Sequence, residues 1–131
     1  MRAQATLEFL ILAALLLIMF LALLQVYFTR LNAGQDFQER LGAQRLVDDA
    51  GRHIDRVLQS GNSSRIQFQL PTLLPTGQAY TLVRIGRRLE IAWESKTVNS
   101  LLLTQAVSGS FTPGTLYNIT NNNGGILIVP A

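Results

Sequence analysis

The sequence predicts an α+β protein: a long N-terminal α-helix, apolar in its first half and amphipathic in its second, packed on a small, mainly antiparallel β-rich head domain. Three observations carry this. From Phe9 to Phe28 the only strongly polar residue is Gln25, and an apolar run of about 20 residues is what a helix needs to cross a bilayer core. From Asp36 to Gln59 there is no proline, and Ala43, Val47, Ala50, Ile54, Val57 and Leu58 recur at spacings of three and four on one helical face. After "QSGNSS" the period changes to the alternation of strands.

The elements follow in order. Residues 4–30 read as an apolar helix long enough to cross a membrane. Residues 31–60 read as an amphipathic continuation that packs on the head, and residues 61–131 as the head itself. One helix, or two joined at Asn32-Ala33-Gly34, is expected from about Gln4 to about Gln59, roughly 80 Å at 1.5 Å per residue. Gly42 and Gly51 interrupt good helix formers, and close approach of a strand or a neighbouring subunit would explain them. On the polar side, Asp48 and Arg52 have the favourable i,i+4 order, and Arg45 and Asp49 the weaker reverse order. Gly61 suits the left-handed position beyond a helix terminus.

About six strands are expected in the head. "RIQFQL" puts Ile66, Phe68 and Leu70 on one face; "AYTLVRI" follows the turn at Pro75-Thr76-Gly77; "RLEIAW" aligns Leu89, Ile91 and Trp93. Ile85-Gly86-Arg87 joins the last two as a tight hairpin. "TVNSLLLT" is a fourth strand, and "TLYNIT" and "GILIV" close the domain around "NNNGG", whose Asn-Gly step favours a primed turn.

Composition excludes several functions. The chain has 131 residues, no cysteine and one histidine, His53, so no thiolate or zinc site is expected. His53 reads as a surface residue beside Asp49. Asp48 and Asp49 are adjacent and diverge on a helix, so they form no catalytic pair. There is no phosphate-binding glycine loop, nucleophile elbow or metal-spaced carboxylate cluster. We therefore expect no catalytic residues, no metal, no cofactor and no enzymatic activity. The net charge is +3, and ten of the eleven basic residues are arginines scattered along the chain. Without a basic stripe interleaved with aromatics, no nucleic-acid partner is expected. Two N-glycosylation sequons occur, Asn62-Ser63-Ser64 and Asn118-Ile119-Thr120; Asn62, at a turn, is the favoured acceptor, ahead of Asn118 in a strand.

The N-terminal stretch "RAQATLEFLI" resembles the class III signal peptide of archaeal type IV-like pilins. "LVDDAGRHIDRVLQSGNSSRIQFQLP" also looks like the region that links helix to head in that family. The resemblance covers the first seventy residues well and the remainder in outline. It implies that residues 1–3 are a leader cleaved between Ala3 and Gln4 by a prepilin peptidase, and that residues 4–30 form a transmembrane helix that becomes the filament core. It also implies an assembly role for Glu8, at the fifth mature position, through pairing with the new terminal amine. The apolar residues Phe9, Leu10, Ile11, Leu12, Leu15, Leu16, Ile18 and Phe20 would pack against identical subunits in a helical filament. An assembly ATPase and a membrane platform protein would be further partners. The precursor would sit in the cytoplasmic membrane and the product in an extracellular filament at the cell surface. "QATLEFLI" is also similar to the start of Tad-type pseudopilins, so a minor pilin or pseudopilin remains an alternative. A signal-anchored surface binding module is a third reading, of a different class.

Overall fold

A computed structural model of the protein describes residues 2–131, the side chain of Arg2 excepted; Met1 of the expected leader lies outside the described residues. A single helix, α1, spans Arg2–Gln59. No break separates two helices at Asn32-Ala33-Gly34. Seven strands follow: β1 (Arg65–Gln69), β2 (Thr81–Ile85), β3 (Arg88–Trp93), β4 (Lys96–Leu101), β5 (Val107–Ser108), β6 (Leu116–Asn122) and β7 (Gly125–Pro130). By contacts the chain divides at Phe37–Gln38 into an N-terminal unit and a larger C-terminal one.

The C-terminal unit holds the last six turns or so of α1 and all the strands. The fold is α+β, a helix on a small antiparallel-rich sheet domain. Two sheets share the core, one of order β1-β6-β7-β5 and one of order β2-β3-β4. Every ladder is antiparallel except the short parallel pairing of β5 with β7. The predicted face of α1 is the buried one: Ala43, Val47, Ala50, Ile54 and Val57 are each at most 1% exposed. They meet Phe68, Tyr117, Ile119, Ile126 and Ile128 of the first sheet and Leu82, Leu89, Ile91 and Trp93 of the second. The strand alternation puts these residues inward, because successive side chains point to opposite faces of a sheet.

Two of the three tight hairpins form where glycine and asparagine demand them; the third, between β3 and β4, turns at Glu94-Ser95 with Glu94 at φ 49°. Ile85 pairs with Arg88, leaving Gly86-Arg87 as a two-residue loop with Gly86 at φ 62°. Asn122 pairs with Gly125, leaving Asn123 at φ 52° and Gly124 at φ 87°. Two positive φ values are what a type I′ turn requires.

The structure differs from the sequence-based expectation at several points. There are seven strands rather than six, because β5 is a two-residue strand without a readable period. The fourth strand stops at Leu101, since the Leu103 amide donates instead to Asp55 Oδ1 at 3.0 Å. Asp48 and Arg52 do not pair, because Gln44 Nε2 donates to Asp48 Oδ1 at 3.0 Å. His53 lies 3.7 Å from the Asp49 carboxylate, as expected, but its ring also lies against Phe68, with centroids 4.7 Å apart. Gly42 and Gly51 face parts of the same chain, but a Cβ on Gly42 would stand 3.4 Å from Pro75 and one on Gly51 3.4 Å from Ser100 Oγ, contacts that do not by themselves require glycine.

Candidate functional site

The N-terminal unit is an α-helix whose apolar side chains have no cover. Phe9, Leu10, Ile11, Leu12, Leu15, Leu16, Ile18 and Phe20 are each between 55% and 67% exposed. The exposure runs around the whole circumference, because the sequence is apolar at every helical position rather than along one stripe. The segment is long and apolar enough to cross a membrane, and none of it is buried. Near its end Thr29 Oγ1 donates to the Gln25 carbonyl at 2.9 Å, satisfying a hydroxyl that lipid would leave unpaired.

Glu8 stands exposed at the edge of this run. Its described partner is Gln4, whose Nε2 donates to Glu8 Oε1 at 3.4 Å, one turn away. That distance is beyond the usual range for such bonds, so the carboxylate is held weakly and remains open to a stronger donor. Ala3 and Gln4 lie in the first turn of the helix and are exposed. The predicted processing pair and the predicted assembly residues therefore occupy one continuous, accessible helical surface.

The two sequons have different settings. Asn62 is exposed in the turn after α1. Its Oδ1 accepts from the Ser63 amide at 3.0 Å and the Asn123 amide at 2.9 Å, and neither bond uses Nδ2, the atom that a glycan would take. Asn118 is 6% exposed in β6, and its Oδ1 is buried with no hydrogen-bond partner. The folded sheet leaves no room for a sugar on Asn118.

The asparagine run also contains a residue that the sequence did not single out. Asn121, 3% exposed, donates from Nδ2 to the carbonyls of Val57 and Leu58, both at 3.3 Å. Its Oδ1 accepts the Gly124 amide at 2.9 Å. One side chain thus caps the C-terminus of α1 and holds the β6–β7 turn. Ser64 Oγ adds a bond of 2.7 Å to the same Val57 carbonyl. Chain separation hides this cap from sequence reading; the clue was an Asn-rich turn beside an uncapped helix end.

A second polar cluster joins helix and strand. Lys96 Nζ and Gln78 Nε2 each lie 2.8 Å from a Glu39 carboxylate oxygen. These bonds hold the Glu39 carboxyl below its usual range, Lys96 contributing most and Gln78 next. The buried indole N–H of Trp93 adds to the same effect from nearby without reaching a full hydrogen bond. Among the described residues no group of three or more His, Cys, Asp or Glu side chains is placed to hold a metal.

Comparison with protein-family models, with curated proteins and with solved structures finds no match to this chain.

Proposed function

We propose that the chain is a structural subunit, a pilin, of an extracellular archaeal type IV-like pilus that polymerises through its apolar N-terminal helix. One observation carries this reading: a helix with sixteen large apolar side chains more than half exposed between Leu7 and Phe28 is joined to a head that has its own closed core. Each such side chain is worth about 1.5–3 kcal/mol when fully buried, so leaving the helix in water costs some tens of kcal/mol, roughly 25–50 kcal/mol as an upper bound. Lipid removes that cost before assembly, and neighbouring helices remove it afterwards. Passage from one to the other exposes no apolar surface to water, and packing between helices rather than the hydrophobic effect decides the equilibrium.

In this reading the precursor is held in the cytoplasmic membrane, a prepilin peptidase cuts between Ala3 and Gln4, and an assembly ATPase with a membrane platform protein drives extraction. Asn62 is the glycan acceptor in this scheme, being the exposed sequon.

The experiment is mass spectrometry and N-terminal sequencing of surface filaments sheared from the native cell. The expected result is an abundant chain beginning at Gln4. The same chain in trace amounts within filaments indicates a minor pilin or pseudopilin. A chain that retains Met1 and stays with detergent-extracted membranes refutes the pilus reading in favour of a signal-anchored binding module.

A further inference from the structure

The C-terminal unit carries an open groove of about 800 Å³. It runs along α1 between Gln38 and Arg52 and is walled on the other side by Pro71 and Pro75. Its floor is apolar, with Leu41 39% exposed and Leu46 partly buried. Its charge is unbalanced. Arg45 and Arg52 both line it, seven residues apart and so on one helical face, and neither has a carboxylate within ion-pair distance among the described residues. Asp49, the groove's acid, lies beside His53 at 3.7 Å.

The N-terminal unit has the complementary features. From Leu7 to Phe28 it is an exposed apolar rod, and the one carboxylate at its start is Glu8, held among the described residues by a long bond from Gln4. A carboxylate that enters an apolar contact needs a cationic partner, since an unpaired buried charge is strongly destabilising. Arginine suits the task, because its guanidinium is weakly hydrated and pairs with a carboxylate through two parallel bonds.

We propose that this groove receives the start of the apolar helix of a second copy of the chain, with that copy's Glu8 paired to the Arg45–Arg52 face. The inference rests on the self-assembly reading above. It differs from pairing of Glu8 with a terminal amine, because it assigns the counter-charge to the groove. Leu7, Phe9 and Leu10 of the incoming helix lie against Leu41, Leu46 and the two prolines, and the arginines neutralise the carboxylate between them.

The test is charge reversal in the full chain, processed by the prepilin peptidase and reconstituted with the assembly ATPase and platform protein in neutral and in anionic lipid vesicles, with the assembled fraction measured by sedimentation and electron microscopy. Glu8→Arg alone, and Arg45→Glu with Arg52→Glu, each lower the assembled fraction at least tenfold. The triple variant, carrying all three changes, recovers it to within threefold of the parent. Trp93 fluorescence confirms that the head stays folded, since both arginines are exposed. The proposal is overturned if the arginine reversals leave assembly intact, or if the triple variant assembles no better than Glu8→Arg. A loss confined to anionic vesicles, without rescue, assigns the arginines to lipid headgroups and equally overturns it. An unmodified chain that never assembles removes the self-assembly reading and this inference together.

Discussion

Replacing Asn121 separates the roles of its two amide atoms. Asn121→Ala removes two donated bonds of 3.3 Å and one accepted bond of 2.9 Å. At about 1 kcal/mol each the ceiling is about 3 kcal/mol. The Val57 carbonyl keeps its 2.7 Å bond from Ser64, so the expected loss is about 2 kcal/mol. Asn121→Asp is the sharper change. A carboxylate still accepts from the Gly124 amide but sets a negative charge against two carbonyls at the negative end of a helix. It should therefore destabilise more than alanine at neutral pH, despite its closer shape. Protonation restores a donor, so the folded state raises that carboxyl's pKa, and the aspartate variant regains stability as pH falls through the raised value. The assay is urea unfolding of the full chain in detergent, read by the single tryptophan, Trp93, which is 2% exposed. Equal losses for the two variants, without pH dependence in the aspartate form, would refute the capping role.

Three further predictions use the same readout. Gly109→Ala should cost about 3 kcal/mol or more, because Gly109 has φ 124° and an added Cβ would run into the Ile128 carbonyl oxygen; a loss under 1 kcal/mol would contradict that packing. The lowered Glu39 pKa means that its contribution is present above the ordinary carboxyl value of 4.5 and disappears as pH falls through the lower folded value. Glu39→Gln should flatten this part of the acid limb, and an unchanged limb would count against the Lys96–Gln78 cluster. Burial pushes the Tyr80 hydroxyl up to about 12 from 10.0, and the hydroxyl donates to the Pro71 carbonyl at 2.6 Å. Its stabilisation is thus complete below pH 10 and is lost as the pH climbs towards 12. Tyr80→Phe should remove that alkaline dependence at a cost of about 1 kcal/mol, and an alkaline limb that persists would assign it elsewhere.

Local signals carried far along this chain. The inward face of α1 could be read because Ala43 to Val57 repeat with helical period, and two of the three tight hairpins because Gly86 and Asn123-Gly124 supply the φ values that their turns need; the third, at Glu94-Ser95, has no such residue. Partition into two sheets was not readable, since it depends on which strand β1 meets, and β1 pairs with β6 some fifty residues later. β5 was too short to show a period. The Glu39–Lys96 pair spans 57 residues, and the local Asp48–Arg52 pairing lost to a neighbouring glutamine. At the candidate site, the apolar surface and the position of Glu8 are properties of consecutive residues and so were visible. The groove with its arginines is not, because Pro71 and Pro75 reach it only through the folded loop.

The place of β6 has a consequence for the order of events during synthesis. β1 finds its ladder partner, and the α1 carbonyls their Asn121 cap, only when residues 116–122 exist. At 5–20 residues per second, roughly 5–20 s separate synthesis of Phe28 from synthesis of Asn122. The apolar helix is thus available to the membrane well before the head can close. In the proposed reading insertion therefore precedes folding, and the head completes itself on a chain whose helix has already entered the bilayer.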